Sequence, residues 1–139
     1  IIKAHEMDLA WQLAGETVDW AQSELAGRLL KVERSSGRVY REMPFTLALP
    51  SRSLSSQLPE GEITLVQGMI DLWFVEDDGQ AILIDFKTDR LPKEDSDRLL
   101  RARYQIQIDA YAHAIERATG RTVKERIIWV LREGRPLAM

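Results

Sequence analysis

The chain contains 139 residues, of which 45% are hydrophobic and 29% are charged, and its formal net charge is -3. This balance excludes a disordered tail, a collagen-like fibre and a bare coiled coil, and it predicts one compact domain or a large piece of a longer protein. The lack of cysteine excludes disulfides and thiolate metal sites, and the lack of a basic excess argues against bulk electrostatic coating of nucleic acid. No apolar run reaches the roughly 18 residues of a membrane helix, so a cytoplasmic location without membrane contact is expected.

The N-terminal part of the chain is expected to be helical. Apolar residues recur at spacings of three and four over residues 2–31, and Gly15 is expected to separate two helices. A serine and glycine turn then leads into a strand over residues 39–49, and residues 50–61 form a polar loop without periodicity.

A β-hairpin is the clearest local prediction. Residues 63–75 and 80–87 form its strands, and residues 76–79 form a turn in which Gly79 supplies the positive φ. Because residues 81–86 are almost wholly apolar, the second strand should be central in a sheet, covered on both faces, with only its far end reaching solvent.

A long helix and a further strand follow the hairpin. Asp95 or Ser96 is expected to cap the helix, which runs to about Thr119 and is stopped by Gly120, and residues 123–131 form the strand. A glycine turn then leads into a short final segment. The order of elements favours an α/β fold with a mixed sheet flanked by helices.

The stretch 121–135 carries more basic than acidic residues. Its basic side chains are Arg121, Lys124, Arg126, Arg132 and Arg135. Such a patch could contact phosphates, although a solvated rim is the more ordinary interpretation.

An acidic residue at the end of the central strand requires a physical explanation. Buried carboxylates are costly unless they are paired, hydrogen-bonded or bound to a cation, and Asp85 ends an apolar run. Side chains alternate along a strand, so Asp85 and Lys87 point to the same face, with Cα atoms about 7 Å apart. Hairpin pairing brings Asp71 near Asp85, and Gly68 removes a side chain where something must approach closely.

This grouping predicts a site for a hard divalent cation. Two carboxylates without cysteine suit magnesium or manganese, and a nearby ammonium suits phosphate chemistry. The alternative is structural: an Asp beside a Lys is most often an ordinary ion pair, and the acids could pair on the surface with Lys87, Arg101 or Arg103.

Three motifs in order resemble those of the RecB-like branch of the PD-(D/E)xK nucleases. They are Gly68-x-Ile70-Asp71, Ile84-Asp85-Phe86-Lys87-Thr88-Asp89 and Tyr104-x-x-Gln107-x-x-x-Tyr111. Residues 20–30 and 39–45 are similar to the stretch that precedes the catalytic motifs in AddA-type helicase–nuclease subunits of bacterial double-strand-break repair complexes. The resemblance covers roughly residues 17–131.

The resemblance implies a restriction-endonuclease-like fold and a role for each matching residue. Asp71 and Asp85 would be metal ligands together with the backbone carbonyl of Phe86, and Lys87 would be the catalytic lysine. The family's helix motif would place Gln107 and Tyr111 in support of the active site and of DNA contacts, whereas their spacing alone also fits a packing stripe. Glu42 matches a recurrent acid of the family, as a third carboxylate, a support for the ligands or a strand-edge charge.

The resemblance also implies a biological setting. It indicates a Mg²⁺-dependent deoxyribonuclease, with Mn²⁺ as an alternative ion, acting as the exonuclease of a helicase–nuclease whose ATP is used only by the helicase portion. The implied partners are DNA, an AddB-type partner subunit and the helicase domain of the same parent chain. The chain is then a nuclease-domain fragment, residues 1–139, with N-terminal helices over 1–32 and a catalytic core over 38–139.

One departure from the family pattern leaves other functions open. RecB-like nucleases usually supply a histidine ligand from an upstream helix, and the histidines of this chain are His5 and His113. The sequence does not begin with Met, so we expect a fragment that has lost that histidine. The alternatives are an inactive nuclease-fold module for docking or strand guiding, and a stand-alone or CRISPR-associated exonuclease, whose usual iron–sulfur cysteines are absent.

Overall fold

The computed structural model describes residues 15–53 and 55–139. Residues 15–21 are helical. The elements that follow are α1 (Glu24–Ser35), β1 (Val39–Pro50), β2 (Ile63–Val75), β3 (Ala81–Lys87), α2 (Ser96–Thr119), β4 (Val123–Val130) and β5 (Arg135–Ala138). Short 3₁₀ turns occupy Ser51–Ser53 and Leu131–Glu133. No helix in this described part of the chain is long and apolar enough to cross a membrane.

A helix break that the sequence did not predict falls after Gly15. Gly15 is itself helical, and the break falls at residues 22–23. There Ser23 caps α1, because its Oγ accepts a hydrogen bond from the N–H of Ala26 at 3.1 Å. A serine cap satisfies a helix-end donor, whereas a glycine inside a helix costs only about 1 kcal/mol relative to alanine. The helix predicted before residue 15 lies outside the described residues.

The sheet is mixed, as predicted. Its five strands lie in the order β1-β2-β3-β4-β5. Only β3 and β4 pair in parallel, and α2 is the crossover that connects them. The short final segment forms the edge strand β5, which the sequence did not predict, after a turn at Gly134 with φ 61°.

Both faces of the sheet are covered, so β3 is central as expected. Residues 81–84 are all 0% exposed. On one face α2 packs through Ile108, Tyr111 and Ile115 onto the sheet, and on the other α1 packs through Leu25, Leu29 and Val32. The end of β3 is therefore held between two apolar layers.

The predicted polar loop after β1 is more ordered than expected at its start. Ser51 is buried at 3% exposure, and its hydroxyl shares a 2.7 Å hydrogen bond with that of Thr64. This contact ties the 3₁₀ turn Ser51–Ser53 to the beginning of β2.

An ion-pair network joins α1 to the hairpin turn. Arg28 contacts Glu76 through Nε at 2.8 Å and Glu125 through Nη2 at 2.7 Å. The hydrogen bond from Arg28 is the main reason why the pKa of Glu76 falls from 4.5 to about 2. Folding therefore favours the ionised form of Glu76, and the pair helps to hold α1 against the sheet.

We expect Glu76→Gln to lower the free energy of unfolding at about pH 7 by about 1 to 2 kcal/mol, because the pair is charged but partly screened by solvent. The pKa is lower in the folded chain, so the stabilisation is complete above about pH 5 and is lost as the pH falls through about 2. Urea unfolding across that range measures this. The control Asp77→Asn, in the same turn with a side chain 74% exposed, should change stability by less than about 0.5 kcal/mol. Equal losses in the two variants would contradict the prediction.

Candidate active site

The hairpin ladder ends where two acidic residues face each other. Its last registered pair before the opening is Leu72 with Ile84, so the next residues outward, Asp71 and Asp85, come opposite one another. The other edge of β3 remains paired with β4 as far as Lys87. The sheet is therefore open between β2 and β3 at the two acids.

The side chain of Asp71 replaces the backbone hydrogen bond that β2 no longer supplies to β3 at this point. Its Oδ2 accepts a hydrogen bond from the N–H of Phe86 at 2.9 Å. In an extended strand the N–H and C=O of one residue point toward the same neighbour, so the carbonyl of Phe86 also faces this opening. The three groups predicted as metal ligands thus converge on one gap in the sheet.

Asp85 is buried, with 3% of its surface exposed, and it is paired. Its Oδ2 lies 2.7 Å from the Nζ of Lys87. Burial raises the pKa of Asp85 above its ordinary value, Lys87 opposes that rise through its hydrogen bond and charge, and the Asp71 carboxylate adds to it. Two carboxylates and one ammonium therefore share a poorly solvated site, not the surface bridges of the structural alternative.

Lys87 is held on three sides. Beyond Asp85, its Nζ donates to Oε1 of Gln107 at 2.9 Å and lies 4.3 Å from the centroid of the Tyr104 ring. Lysine only donates, so the amide oxygen of Gln107 must face it, which leaves Nε2 to donate to the Tyr111 hydroxyl at 2.9 Å. Gln107 and Tyr104, about one helical turn apart on α2, therefore orient the ammonium, and Gln107 and Tyr111 lie on one helix face in contact with each other.

Tyr111 packs in the core and also contacts Gln107. It is buried in the core, and its ring packs edge-on against Phe45 with centroids 5.1 Å apart. A Cβ added at Gly68 would lie 2.9 Å from the Phe45 ring and 3.4 Å from the Tyr111 ring. The close approach expected at Gly68 is therefore made by these two rings. Burial raises the pKa of Tyr111, and the charges of Asp85 and Asp71 raise it further, so its hydroxyl stays protonated at neutral pH.

Glu42 marks a reversal of faces in the β1–β2 ribbon. Tyr40 stacks on Trp73, a member of the α2-side core, with ring centroids 4.0 Å apart, and Met43, at the opposite parity, packs against the same core. Register is unchanged across the reversal, so Glu42 stands opposite Asp71. Glu42 has φ 49°, and in the described part of the chain its exposed side chain makes no hydrogen bond or ion pair. The structure thus places Glu42 beside the site without a ligand contact.

Two residues of the site were quoted in the motifs without a role. The Tyr104 hydroxyl donates to Oδ1 of Asp89 at 2.8 Å, and Arg103 also pairs with Asp89. Asp89 therefore fixes the ring that covers the Lys87 ammonium. The signal was present in the sequence, because Tyr104 precedes Gln107 by about one helical turn.

Of the two histidines, only His113 lies among the described residues, and it is not part of the site. His5 lies outside the described residues, and His113 is exposed in a different cleft with Asp109 and Glu116. Over residues 15–53 and 55–139 no group of three or more His, Cys, Asp or Glu side chains is placed to hold a metal.

The donors at the opening nevertheless fit a hard divalent cation. Asp71, Asp85 and the Phe86 carbonyl offer only oxygen, and Mg²⁺ is commonly bound by one or two carboxylates with water in its remaining positions. The raised pKa of Asp85 shows that Lys87 alone does not offset its burial beside Asp71, so a second positive charge would be stabilising there.

Comparisons with known proteins identify the same type of domain. The family model described as the PD-(D/E)XK nuclease superfamily matches residues 3–137. The A subunit of an ATP-dependent helicase/nuclease from Clostridium novyi (strain NT) is 38% identical over 84% of this chain and 9% of the relative. Its counterpart from Thermoanaerobacter sp. (strain X514) is 43% identical over 72% of the chain and 8% of the relative, and that from Acetivibrio thermocellus is 35% identical over 94% and 11%.

The chain thus spans about a tenth of the length of these curated relatives. The crystal structure of SSO0001 aligns with 95% of this chain and 57% of that chain, with a TM-score of 0.48 and 18% identity.

In metal-free buffer at about pH 7, we expect Asp85→Asn to raise the free energy of unfolding, because it removes a buried charge that folding disfavours. Lys87→Met should lower it by about 3 kcal/mol, since it leaves the carboxylate without its cation. Urea denaturation in EDTA measures both. The difference between Asp85→Asn and the parent chain should vanish at about pH 3, where the carboxyl is protonated in both states. Destabilisation by Asp85→Asn would show that the ion pair outweighs the burial cost.

At Glu42 we expect the backbone to decide the effect of substitution on stability. Glu42→Gly should be at least as stable as the parent, whereas Glu42→Val should be less stable by about 2 kcal/mol, because a β-branched residue is strained at positive φ. Thermal unfolding of both variants checks this. The same pair at the exposed strand position Ala48 should show the reverse order, with valine more stable than glycine. If glycine were more stable than valine at both positions, the positive φ of Glu42 would not explain the effect.

Proposed function

Because the chain belongs to the PD-(D/E)XK nuclease superfamily, we propose that it is a Mg²⁺-dependent deoxyribonuclease domain whose site is formed by Asp71, Asp85 and Lys87. The convergence of two carboxylates and one ammonium at the opening between β2 and β3 carries this proposal. Members of this superfamily generally depend on divalent metals, and Mn²⁺ would suit the same oxygen donors.

Each residue of the site has a distinct role. Asp71, Asp85 and the Phe86 carbonyl would hold the cation, which when bound would supply stabilisation of charge on a phosphoryl oxygen and lower the pKa of a water. Lys87 lies on the same strand face as Asp85 and stabilises the negative charge that develops on the phosphate or orients the attacking water. Gln107 and the Tyr104 ring fix the direction of the ammonium, and the Tyr111 hydroxyl, which accepts from Gln107, keeps its own proton to donate. Glu42 supports the site through the reversal of strand faces that it makes opposite Asp71.

The parent protein is, on this proposal, a helicase–nuclease that repairs double-strand breaks. The names of the curated relatives support it, since each is the A subunit of an ATP-dependent helicase/nuclease. The chain would then act as an exonuclease on DNA delivered by the helicase domain of its parent polypeptide, where ATP is consumed, alongside an AddB-type partner subunit in the cytoplasm. The domain would consist of N-terminal helices over residues 1–32 and a catalytic core over 38–139. A strand supplied by a motor requires backbone contacts only, and no base-reading motif is present in the sequence.

A second candidate is an inactive nuclease-fold module that guides DNA or docks another protein of the complex. One observation favours it: among the described residues no third carboxylate or histidine joins Asp71 and Asp85 as a ligand. The intact Lys87 and its oriented ammonium favour the active domain.

A cleavage assay separates the two candidates. We expect a 3′-labelled linear DNA strand to be degraded in Mg²⁺ or Mn²⁺ and to stay intact in EDTA. Asp85→Ala and Asp71→Ala should abolish the activity, and Lys87→Ala should lower kcat by about 10² to 10³ fold, the size typical of losing one charge-stabilising group.

Two controls make the assay decisive. Asp77→Asn, at the opposite end of the hairpin, should cut at the rate of the parent chain, and a closed circular single strand should resist cutting if the domain is an exonuclease. Equal activity of Asp85→Ala and the parent chain would reject the proposal that Asp85 belongs to an active site, and it would favour the inactive module.

A further inference from the structure

Few basic side chains in the described part of the chain lack a partner. The basic stretch 121–135 is engaged throughout: Lys124 pairs with Glu76 and Asp78, Arg126 with Asp109, and Arg135 with Asp97. Arg121 and Arg132 donate to the carbonyls of Gly79 and Thr88. Four cations of the described residues make no ion pair or hydrogen bond: Arg34, Arg90, Lys93 and Arg117.

Two of these four cations lie together beside the active site. Arg90 and Lys93 line one cleft of about 470 Å³, together with Asp89, Leu91, Arg132 and Glu133. We call this the 90–93 cleft. It lies at the loop that follows β3, and Arg90 is three residues after Lys87, so their Cα atoms are at most about 11 Å apart.

The two acids that line the 90–93 cleft are already paired with other side chains. Asp89 is held by Tyr104 and Arg103, and its side chain is 11% exposed. Glu133 accepts from Arg135 at 2.7 Å and from the Ser96 hydroxyl at 2.9 Å, and its side chain is 19% exposed. The lining of the cleft therefore carries three cations, Arg90, Lys93 and Arg132, against two acids that are already paired, although the chain as a whole is acidic.

The loop that carries the two cations is anchored. Leu91 packs against the apolar cluster of Leu100, Ile128, Val130 and Leu137. The N–H of Asp95 closes a turn onto the carbonyl of Pro92 at 3.1 Å, and Arg132 donates to the Thr88 carbonyl at 2.7 Å. Arg90 and Lys93 therefore project from a fixed backbone, which lowers the entropy lost when a ligand binds.

We propose that the 90–93 cleft binds the sugar–phosphate backbone of the DNA strand a few nucleotides from the scissile phosphate, with Arg90 and Lys93 as its phosphate contacts. The inference rests on the proposed nuclease function and adds the place where the strand is held. Contacts of this kind are independent of sequence and weaken as salt rises, because each neutralised phosphate releases counterions.

The test compares two double variants that remove the same charge. We expect Arg90→Ala with Lys93→Ala to raise the Kd for a fluorescein-labelled single-stranded 20-mer by about tenfold, and to reduce the slope of log Kd against log salt by about 1.4. Anisotropy titrations in EDTA, where cutting is off, measure both quantities. Arg34→Ala with Arg117→Ala is the matched control, since those cations are exposed elsewhere, and it should leave the slope unchanged. The exchange Arg90→Lys with Lys93→Arg should preserve binding.

The outcomes for the cleft and for the nuclease are distinguishable. Equal slopes and affinities in the two double variants, or no DNA binding by the parent chain, would overturn the proposal that the 90–93 cleft binds DNA. If the parent chain binds DNA through Arg90 and Lys93 but does not cut it in Mg²⁺ or Mn²⁺, the proposed nuclease function is rejected and the proposed DNA-binding cleft is retained. In the active chain, loss of the two cations should raise KM, whereas Lys87→Ala lowers kcat.

Discussion

The end of the ladder between β2 and β3 is the constraint on which the site depends. Beyond Leu72 and Ile84 the two strands no longer exchange backbone hydrogen bonds, yet β3 continues along β4. The N–H of Phe86 would be left unpaired at this point, and the side chain of Asp71 satisfies it. The same separation that removes a backbone partner therefore brings a carboxylate into the gap, opposite a second one on β3.

The burial of Asp85 beside a second acid costs free energy, which its pairing with Lys87 offsets only in part. Asp85 is buried beside another acid, and the pKa of its carboxyl is raised even with Lys87 at 2.7 Å. In a metal-free domain the ammonium is the nearest counter-charge, and Gln107 and Tyr104 hold it there. A site with this residual preference for positive charge is suited to a cation.

Local sequence signals were sufficient for some elements and not for others. The hairpin and α2 were predictable because a positive-φ turn at Gly79 and a left-handed cap at Gly120 depend on the residues nearest to them. The juxtaposition of Asp71 with Asp85 followed from that hairpin register. The reversal at Glu42 was not predictable, because it depends on how β1 and β2 both pack against α2. Strand β5 was missed for a similar reason, since its few residues form a strand only by pairing with β4.

The N-terminal helical segment helps to set which face of β3 carries Asp85 and Lys87. Trp20 packs edge-on against Phe86 with centroids 4.9 Å apart and against Trp129 at 5.1 Å. Because side chains alternate along β3, the anchoring of Phe86 on the α1 face directs Asp85 and Lys87 to the α2 face. On that face Gln107 and the Tyr104 ring hold the ammonium, so the short segment Asp85–Lys87 is held from both sides. The aromatic packing on one face and the polar contacts on the other thus act on the same three residues, and the position of the Phe86 backbone in the gap depends on both.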